Sequence, residues 1–228
     1  MRFETGAVNL LDTIGNTPLV SLENLFSKYR AKVFAKLEFF NPTSSIKDRI
    51  VHHIVADAEA TGRLKPGGTI VENTSGNTGA AIAMIAALKG YRAVLTMPDK
   101  VSAEKQAALT ALGAEIVVCP TDAAPGSADH YVQRAQDIAA ETPNSFMINQ
   151  YDNLMNADAH YQSTGPEIWR QSGGAVDYFV ASGSTGGTIS GVGRYLKEQK
   201  SEVKVLMPDP IGSIYYTYFK TGRIDESE

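Results

Sequence analysis

From Val33 onward, short apolar runs rich in β-branched residues alternate with longer segments of helical periodicity. The runs are Val33–Leu37, Thr69–Val71, Ala93–Met97, Glu115–Val118, Phe146–Ile148, Tyr178–Ala181 and Val203–Met207. The helical segments fall near 46–61, 77–88, 102–112, 128–142, 157–171 and 188–199. Strands joined in this way run parallel, because each connection is a helical crossover. The pattern therefore predicts an α/β chain with open, mostly parallel sheets and helices on both faces. Punctuation agrees: Gly90 and Gly113 sit where helices should stop, and Ser102 and Ser127 where they should start. The Val33 run is read as a buried strand. The helix after it carries Ile46, Ile50, Val51, Ile54, Val55 and Ala58 on one apolar face. No fixed-period repeat or low-complexity linker interrupts the alternation.

In such folds ligands collect at the carboxyl ends of the strands, which directs attention to four loops. The first is Asn41-Pro42-Thr43-Ser44-Ser45-Ile46-Lys47-Asp48-Arg49. Pro42 disfavours helix at Asn41 and Ser45 is a good N-cap, so Lys47 falls in the first helical turn. An ammonium is disfavoured there by the macrodipole. Lys47 is thus either a solvated surface lysine or one whose pKa is lowered for chemistry, as in Schiff-base formation. The second loop, Glu72-Asn73-Thr74-Ser75-Gly76-Asn77-Thr78-Gly79, reads as a capping loop or as a cradle for a small carboxylate. It has no Lys or Arg to suit a polyphosphate. The third, Ser182-Gly183-Ser184-Thr185-Gly186-Gly187-Thr188, suits one phosphate monoester. It lacks the P-loop lysine and the dinucleotide-site glycine spacing. The fourth, Asn149-Gln150-Tyr151, is a weak signal, since amides at strand ends commonly satisfy loop backbone.

The remaining residues exclude other classes. A net charge of −4 without a basic block argues against nucleic acid, and no apolar run approaches membrane-spanning length. Met1-Arg2-Phe3-Glu4-Thr5 has no secretory pattern, and one cysteine, Cys119, fits a reducing cytoplasm as a buried structural thiol. His52, His53, His130 and His160 lack the spacing of a metal site, and no Ser-His-Asp set or nucleophile elbow is present.

With these loops in hand, the chain resembles the cysteine synthase and cystathionine β-synthase family of fold-type-II pyridoxal phosphate enzymes. The resemblance runs from about Asn9 to Asp209. It rests on Ile14-Gly15-Asn16-Thr17-Pro18-Leu19, Asn41-Pro42 with Ser45 to Arg49, Thr74 to Gly79, and Thr185-Gly186-Gly187-Thr188-Ile189-Ser190-Gly191. Gln150-Tyr151, the segment from Asn156 to Ala159-His160-Tyr161, and Asp209-Pro210-Ile211-Gly212-Ser213 are more similar to the cystathionine β-synthase branch.

The resemblance implies a fold like that of the tryptophan synthase β chain, with two subdomains. Residues 1–42 with 151–228 would hold the cofactor phosphate, and 43–150 would carry the substrate-carboxylate loop. It implies pyridoxal 5′-phosphate as cofactor and no metal. Lys47 would form the Schiff base and then move the proton at the substrate α-carbon. Asn77 would bond the cofactor's phenolic oxygen, and Ser184, Thr185, Gly186, Gly187 and Thr188 its phosphate. Thr74, Ser75, Thr78 and Gln150 would bind the substrate α-carboxylate. The implied reaction is β-replacement on L-serine or O-acetyl-L-serine through an aminoacrylate, making cysteine or cystathionine from sulfide or a thiol. The implied setting is a cytoplasmic homodimer acting on small amino acids. Alternatives on the same residues are addition of an amine, as in a diaminopropionate-type synthase, or a truncated non-catalytic binding protein.

Three features depart from the family pattern. Thr43-Ser44 stands where many relatives have Gly-Gly, and Ser184 replaces the glycine that opens the phosphate loop. Family members also continue past the Asp209-Pro210 region. That continuation carries a serine facing the pyridine nitrogen and further sheet and dimer contacts. The aromatic cluster Tyr215, Tyr216, Tyr218 and Phe219 is expected to lie against it.

Overall fold

The computed structural model describes residues 9–224. All seven predicted runs become strands. Contacts group the chain into two units, Met1–Asn153 and Leu154–Glu228. The segment Met1 to Thr5, read above for a secretory signal, lies outside the described residues.

The first unit opens with β1 (Leu19–Ser21), α1 (Glu23–Phe26) and β2 (Phe34–Lys36); β1 and β2 pair antiparallel. The Val33 run is not a buried strand, because it pairs only with β1 and leaves Phe34 49% exposed. Then follow α2 (Lys47–Ala60), β3 (Thr69–Asn73), α3 (Asn77–Lys89), β4 (Arg92–Pro98), α4 (Ala103–Ala111), β5 (Glu115–Cys119), α5 (Tyr131–Glu141) and β6 (Ser145–Met147). Four of these strands form one parallel sheet in the order β5-β4-β3-β6. On one face Val71 and Val94 pack under Ala135 and Ile138 of α5. On the other, a Cβ added to Gly79 of α3 would lie 3.2 Å from Leu95 and 3.4 Å from Leu109 of α4. Ala81 through Ala86 are consecutively buried, because α3 has sheet on one side and α2 on the other. The predicted face of α2 is buried at Ile50, Val51, Ile54, Val55 and Ala58. Each fully buried isoleucine contributes about 1.5–3 kcal/mol. Ser127 does not cap α5, which starts later, after His130.

The second unit holds α6 (Met155–Ala159), α7 (Gly165–Gln171), β7 (Tyr178–Val180), α8 (Gly187–Gln199), β8 (Lys204–Leu206) and α9 (Ile214–Thr221). β7 and β8 pair in parallel, and Ile168, Val176, Val192, Leu196 and Val203 form the core. The single helix predicted over 157–171 is divided: a π-helical turn, His160–Thr164, separates α6 from α7. It coincides with the closest approach to α8. A Cβ on Gly191 would sit 2.0 Å from the Ala157 carbonyl oxygen and 2.9 Å from the His160 Cβ. Backbone cannot yield there as a flexible side chain can. Gly191→Ala is therefore expected to destabilise the protein by about 1–3 kcal/mol, the usual cost of overpacking. Thermal unfolding would register this as a Tm several degrees lower, and an unchanged Tm would mean that α8 does not press on α6 in this way.

Candidate active site

Each sequence-predicted site residue lies at the start of a helix or in the loop that leaves a strand. Lys47 is the first residue of α2. The Ser45 hydroxyl accepts the Lys47 N–H at 3.1 Å, the bond expected of a capping serine. The turn before it is held from within. Asp48 accepts from the Thr43 N–H at 2.7 Å and also from the Thr43 hydroxyl. Ser44 N–H donates to the Asn41 carbonyl at 2.7 Å. Ser44 adopts φ +58°, the left-handed conformation for which glycine is better suited. This accounts for the glycine that the resemblance placed there.

Burial lowers the pKa of Lys47 from its usual value, and among the described residues no carboxylate pairs with its Nζ. The helix N-terminus acts in the same direction. Asp48, beside it, is moved upward, first by burial and also by the Glu38 charge, against the lowering effect of the Thr43 bonds.

The carboxylate loop leaves β3 and turns into α3 at Asn77, after an extended Gly76. Thr74 and Thr78 are buried, Ser75 is half-buried and Asn77 is exposed. Thr74 is tied down by its N–H, which donates to the Thr96 carbonyl at 3.1 Å. Its hydroxyl accepts the Gly76 N–H at 3.3 Å. The fourth loop meets the second: the Thr78 hydroxyl donates to Gln150 Oε1 at 2.6 Å. Thr78 and Gln150, 72 positions apart, are thus joined in the same unit as Lys47, and Thr74 stands four residues before Thr78 in the same loop.

Ser184 to Thr188 lie in the second unit and lead into α8. Gly186 has φ +79° and caps the helix, so a side chain would strain the turn. Ser184 keeps a negative φ and needs no glycine, and its carbonyl accepts from the Tyr215 hydroxyl of α9. Two residues behind the loop were not assigned to it from the sequence. Asn156 Nδ2 donates to the Thr185 hydroxyl at 2.8 Å. The fully buried His160 bridges Thr188, at 3.2 Å from Nε2, and Thr164, at 2.9 Å from Nδ1. The Asn-to-His segment was legible as a motif, but its attachment to the phosphate loop was not. Of the aromatic cluster, Tyr216, Tyr218 and Phe219 are exposed, Phe219 at 74%.

A model of the pyridoxal-phosphate dependent enzyme family matches residues 10–228. The chain belongs to that family. Within it, the chain is 48% identical over 208 residues to a cystathionine beta-synthase of Apis mellifera, covering 90% of this chain and 41% of that one. It is 46% identical over 218 residues to a probable cysteine synthase of Bacillus subtilis, covering 94% and 69%. A crystal structure of O-ureido-L-serine synthase superposes with a TM-score of 0.85 at 37% identity, over 96% of this chain and 67% of that one. The chain thus spans about two fifths of its cystathionine beta-synthase relatives. The residues present suit the family's cofactor: a half-buried lysine biased toward the neutral amine, and a hydroxyl-rich loop at the N-terminus of a 13-residue helix. Among the described residues no cluster of His, Cys, Asp or Glu could hold a metal ion, and no helix is long and apolar enough to cross a membrane.

Proposed function

We propose that the protein catalyses β-replacement on L-serine or an O-activated serine, with a sulfur nucleophile, sulfide or homocysteine, giving cysteine or cystathionine. The observation that carries this reading is Lys47, a half-buried lysine with a lowered pKa, in one unit with Thr74, Thr78 and Gln150. Pyridoxal phosphate, when bound, supplies the electron sink that makes an amino acid's α-proton removable and its β-substituent able to leave.

The chain's own residues supply binding, orientation and proton transfer. Lys47 Nζ, its pKa lowered by burial, is the amine that would hold the cofactor's aldehyde carbon. The same amine would move the proton at the substrate α-carbon. Thr74, Ser75, Thr78 and Gln150 take the α-carboxylate, and the positive end of α3 favours an anion there. Asn77, exposed at that helix start, would bond the cofactor's phenolic oxygen. Ser184, Thr185 and Thr188, with the N–H groups around Gly186 and Gly187, hold the phosphate. Asn156 and His160 fix two of those hydroxyls from behind. The division of labour places carboxylate recognition in residues 43–150 and the phosphate in 151–228.

A second reading keeps the residues and changes the nucleophile. The likeness to a structure titled O-ureido-L-serine synthase favours it, since that name describes a serine derivative built with a group other than sulfide. One experiment separates these. Protein loaded with pyridoxal phosphate is incubated with L-serine or O-acetyl-L-serine in deuterated water, and with sulfide, homocysteine and amines in parallel. Exchange of the α-proton and a sulfur-containing product are expected. Exchange with only an amine adduct would move the assignment to the second reading. No exchange at all would leave a binding protein on an enzyme scaffold.

A further inference from the structure

Glu72 is a buried carboxylate that this mechanism leaves unused. It lies near the carboxyl end of β3 and is 1% exposed. A carboxylate in that setting is costly unless hydrogen-bonded, and the bond it makes is specific. β3 and β6 pair from Thr69↔Ser145 to Val71↔Met147, where β6 ends. Beyond that point the Asn149 N–H donates to Glu72 Oε2 at 2.7 Å, so a side chain continues what the strand ladder began. Asn149 has φ +50°, a left-handed turn that asparagine adopts more readily than other non-glycine residues, and the Glu72 bond fixes its N–H in that turn. The next residue is Gln150, 7% exposed, whose Oε1 receives the Thr78 hydroxyl.

We propose that Glu72 is a positioning residue: through the Asn149 N–H its carboxylate holds Gln150 where Gln150 and Thr78 together receive the α-carboxylate of the amino-acid substrate. The proposal rests on the assignment of Thr78 and Gln150 as carboxylate-binding groups. Its physical basis is that an N–H bond to an ionised acceptor is about twice as strong as one to a neutral acceptor. Burial raises Glu72 to about 7, against the lowering effect of the Asn149 and Asn73 N–H groups. No charged side chain from the flanking elements contributes to that shift. The strong form of the bond is therefore present at pH 8 and largely lost at pH 6.

The test compares the cofactor-loaded wild type with Glu72→Gln, which keeps the size and a carbonyl acceptor but cannot ionise. L-serine binding is followed by the change in the cofactor's visible spectrum. Serine's own ammonium must lose its proton to bond the cofactor, which weakens affinity in every variant as pH falls; from pH 8 to pH 6 the wild type is expected to lose about tenfold more than Glu72→Gln, with kcat at saturating serine changed less than about twofold. The Asn149 amide resonance should titrate over the same range in the wild type alone, a readout independent of cofactor and activity. In Gln150→Ala, with Glu72 intact, affinity should fall about tenfold less than the wild type's from pH 8 to pH 6, because positioning through Gln150 has nothing left to position. This arm stands even where Glu72→Gln folds poorly. Equal pH profiles in wild type and Glu72→Gln, or a fall in Gln150→Ala as steep as the wild type's, overturn the proposal. Gln150→Ala binding serine as tightly as wild type instead overturns the carboxylate assignment, and the proposal with it.

Discussion

Replacing Lys47 with alanine is expected to abolish the visible band of the cofactor-loaded protein and to lower turnover by at least about a hundredfold, the lower end of what general acid–base catalysis contributes. The argument starts from position. Lys47 begins α2, where the N-terminal dipole disfavours an ammonium, and burial lowers its pKa further. Both effects enlarge the fraction of free amine, the form that attacks an aldehyde and accepts a proton. Lys47→Arg should fail as completely, because a guanidinium stays protonated at any working pH. Cofactor can still associate with the Lys47→Ala protein through the loop from Ser184 to Thr188, so retention of phosphate-bearing cofactor is not evidence against the assignment. The decisive measurement is reduction with borohydride followed by peptide mass analysis. The mass of the reduced cofactor should appear on the peptide containing Lys47 and nowhere in the alanine variant. A visible band that persists in Lys47→Ala, with the label on another lysine, would sink the reading.

How much of this was legible before the structure depended on how local each signal was. Lys47, Thr74, Asn77, Thr78 and the Ser184 loop stand at strand-to-helix transitions marked by serine, threonine and glycine, and those transitions survive intact. The partnership of Thr78 with Gln150 spans 72 positions and has no periodic signature. Glu72 was read as the first residue of a loop, yet it is the buried end of β3 and a ligand for backbone across the sheet. β1 was missed because three residues after Pro18 carry no alternation to detect. α9 was missed as well, since Tyr215, Tyr216, Tyr218 and Phe219 were read only as an aromatic cluster. The helix is fixed by capping: Ser213 accepts the Tyr215 N–H, and Gly222 closes the end at φ +70°. The π-helical turn in 157–171 ends where Gly165-Pro166 opens α7, so the missing proline N–H within the segment was a signal that the helix would not run through unbroken.

The same kind of long-range partnership explains the motif from Gly15 to Thr17, and it supports the largest stability prediction. Arg49 donates to Glu38 through Nε at 2.7 Å and Nη2 at 2.9 Å, a two-pronged pair with the Arg side chain 2% exposed and the Glu 15%. Thr17 donates to Glu38 at 2.6 Å, Asn41 donates to it at 3.0 Å, and the Gly15 N–H closes on Asn41 Oδ1 at 2.8 Å. The network joins the N-terminal turn to α2 two residues beyond Lys47. Arg49→Met leaves the buried Glu38 without its cation, and removing one partner of such a pair costs about 3–5 kcal/mol. Its pH dependence follows from the sign of the Glu38 shift. Burial alone would raise Glu38, but Arg49, Thr17 and Asn41 outweigh it and hold the carboxyl below its ordinary 4.5. In the wild type that contribution is therefore complete above about pH 4.5 and is lost as pH falls through the lowered value. In the variant burial is no longer opposed by the cation, the folded value rises, and stability is lost as pH increases. The deficit of Arg49→Met should consequently be largest at pH 7 and narrow toward pH 5, in urea unfolding at both values. A deficit equal at the two values would mean that Arg49 contributes packing alone. Glu38→Leu combined with Arg49→Met should recover much of the loss, because an apolar pair leaves no charge to bury.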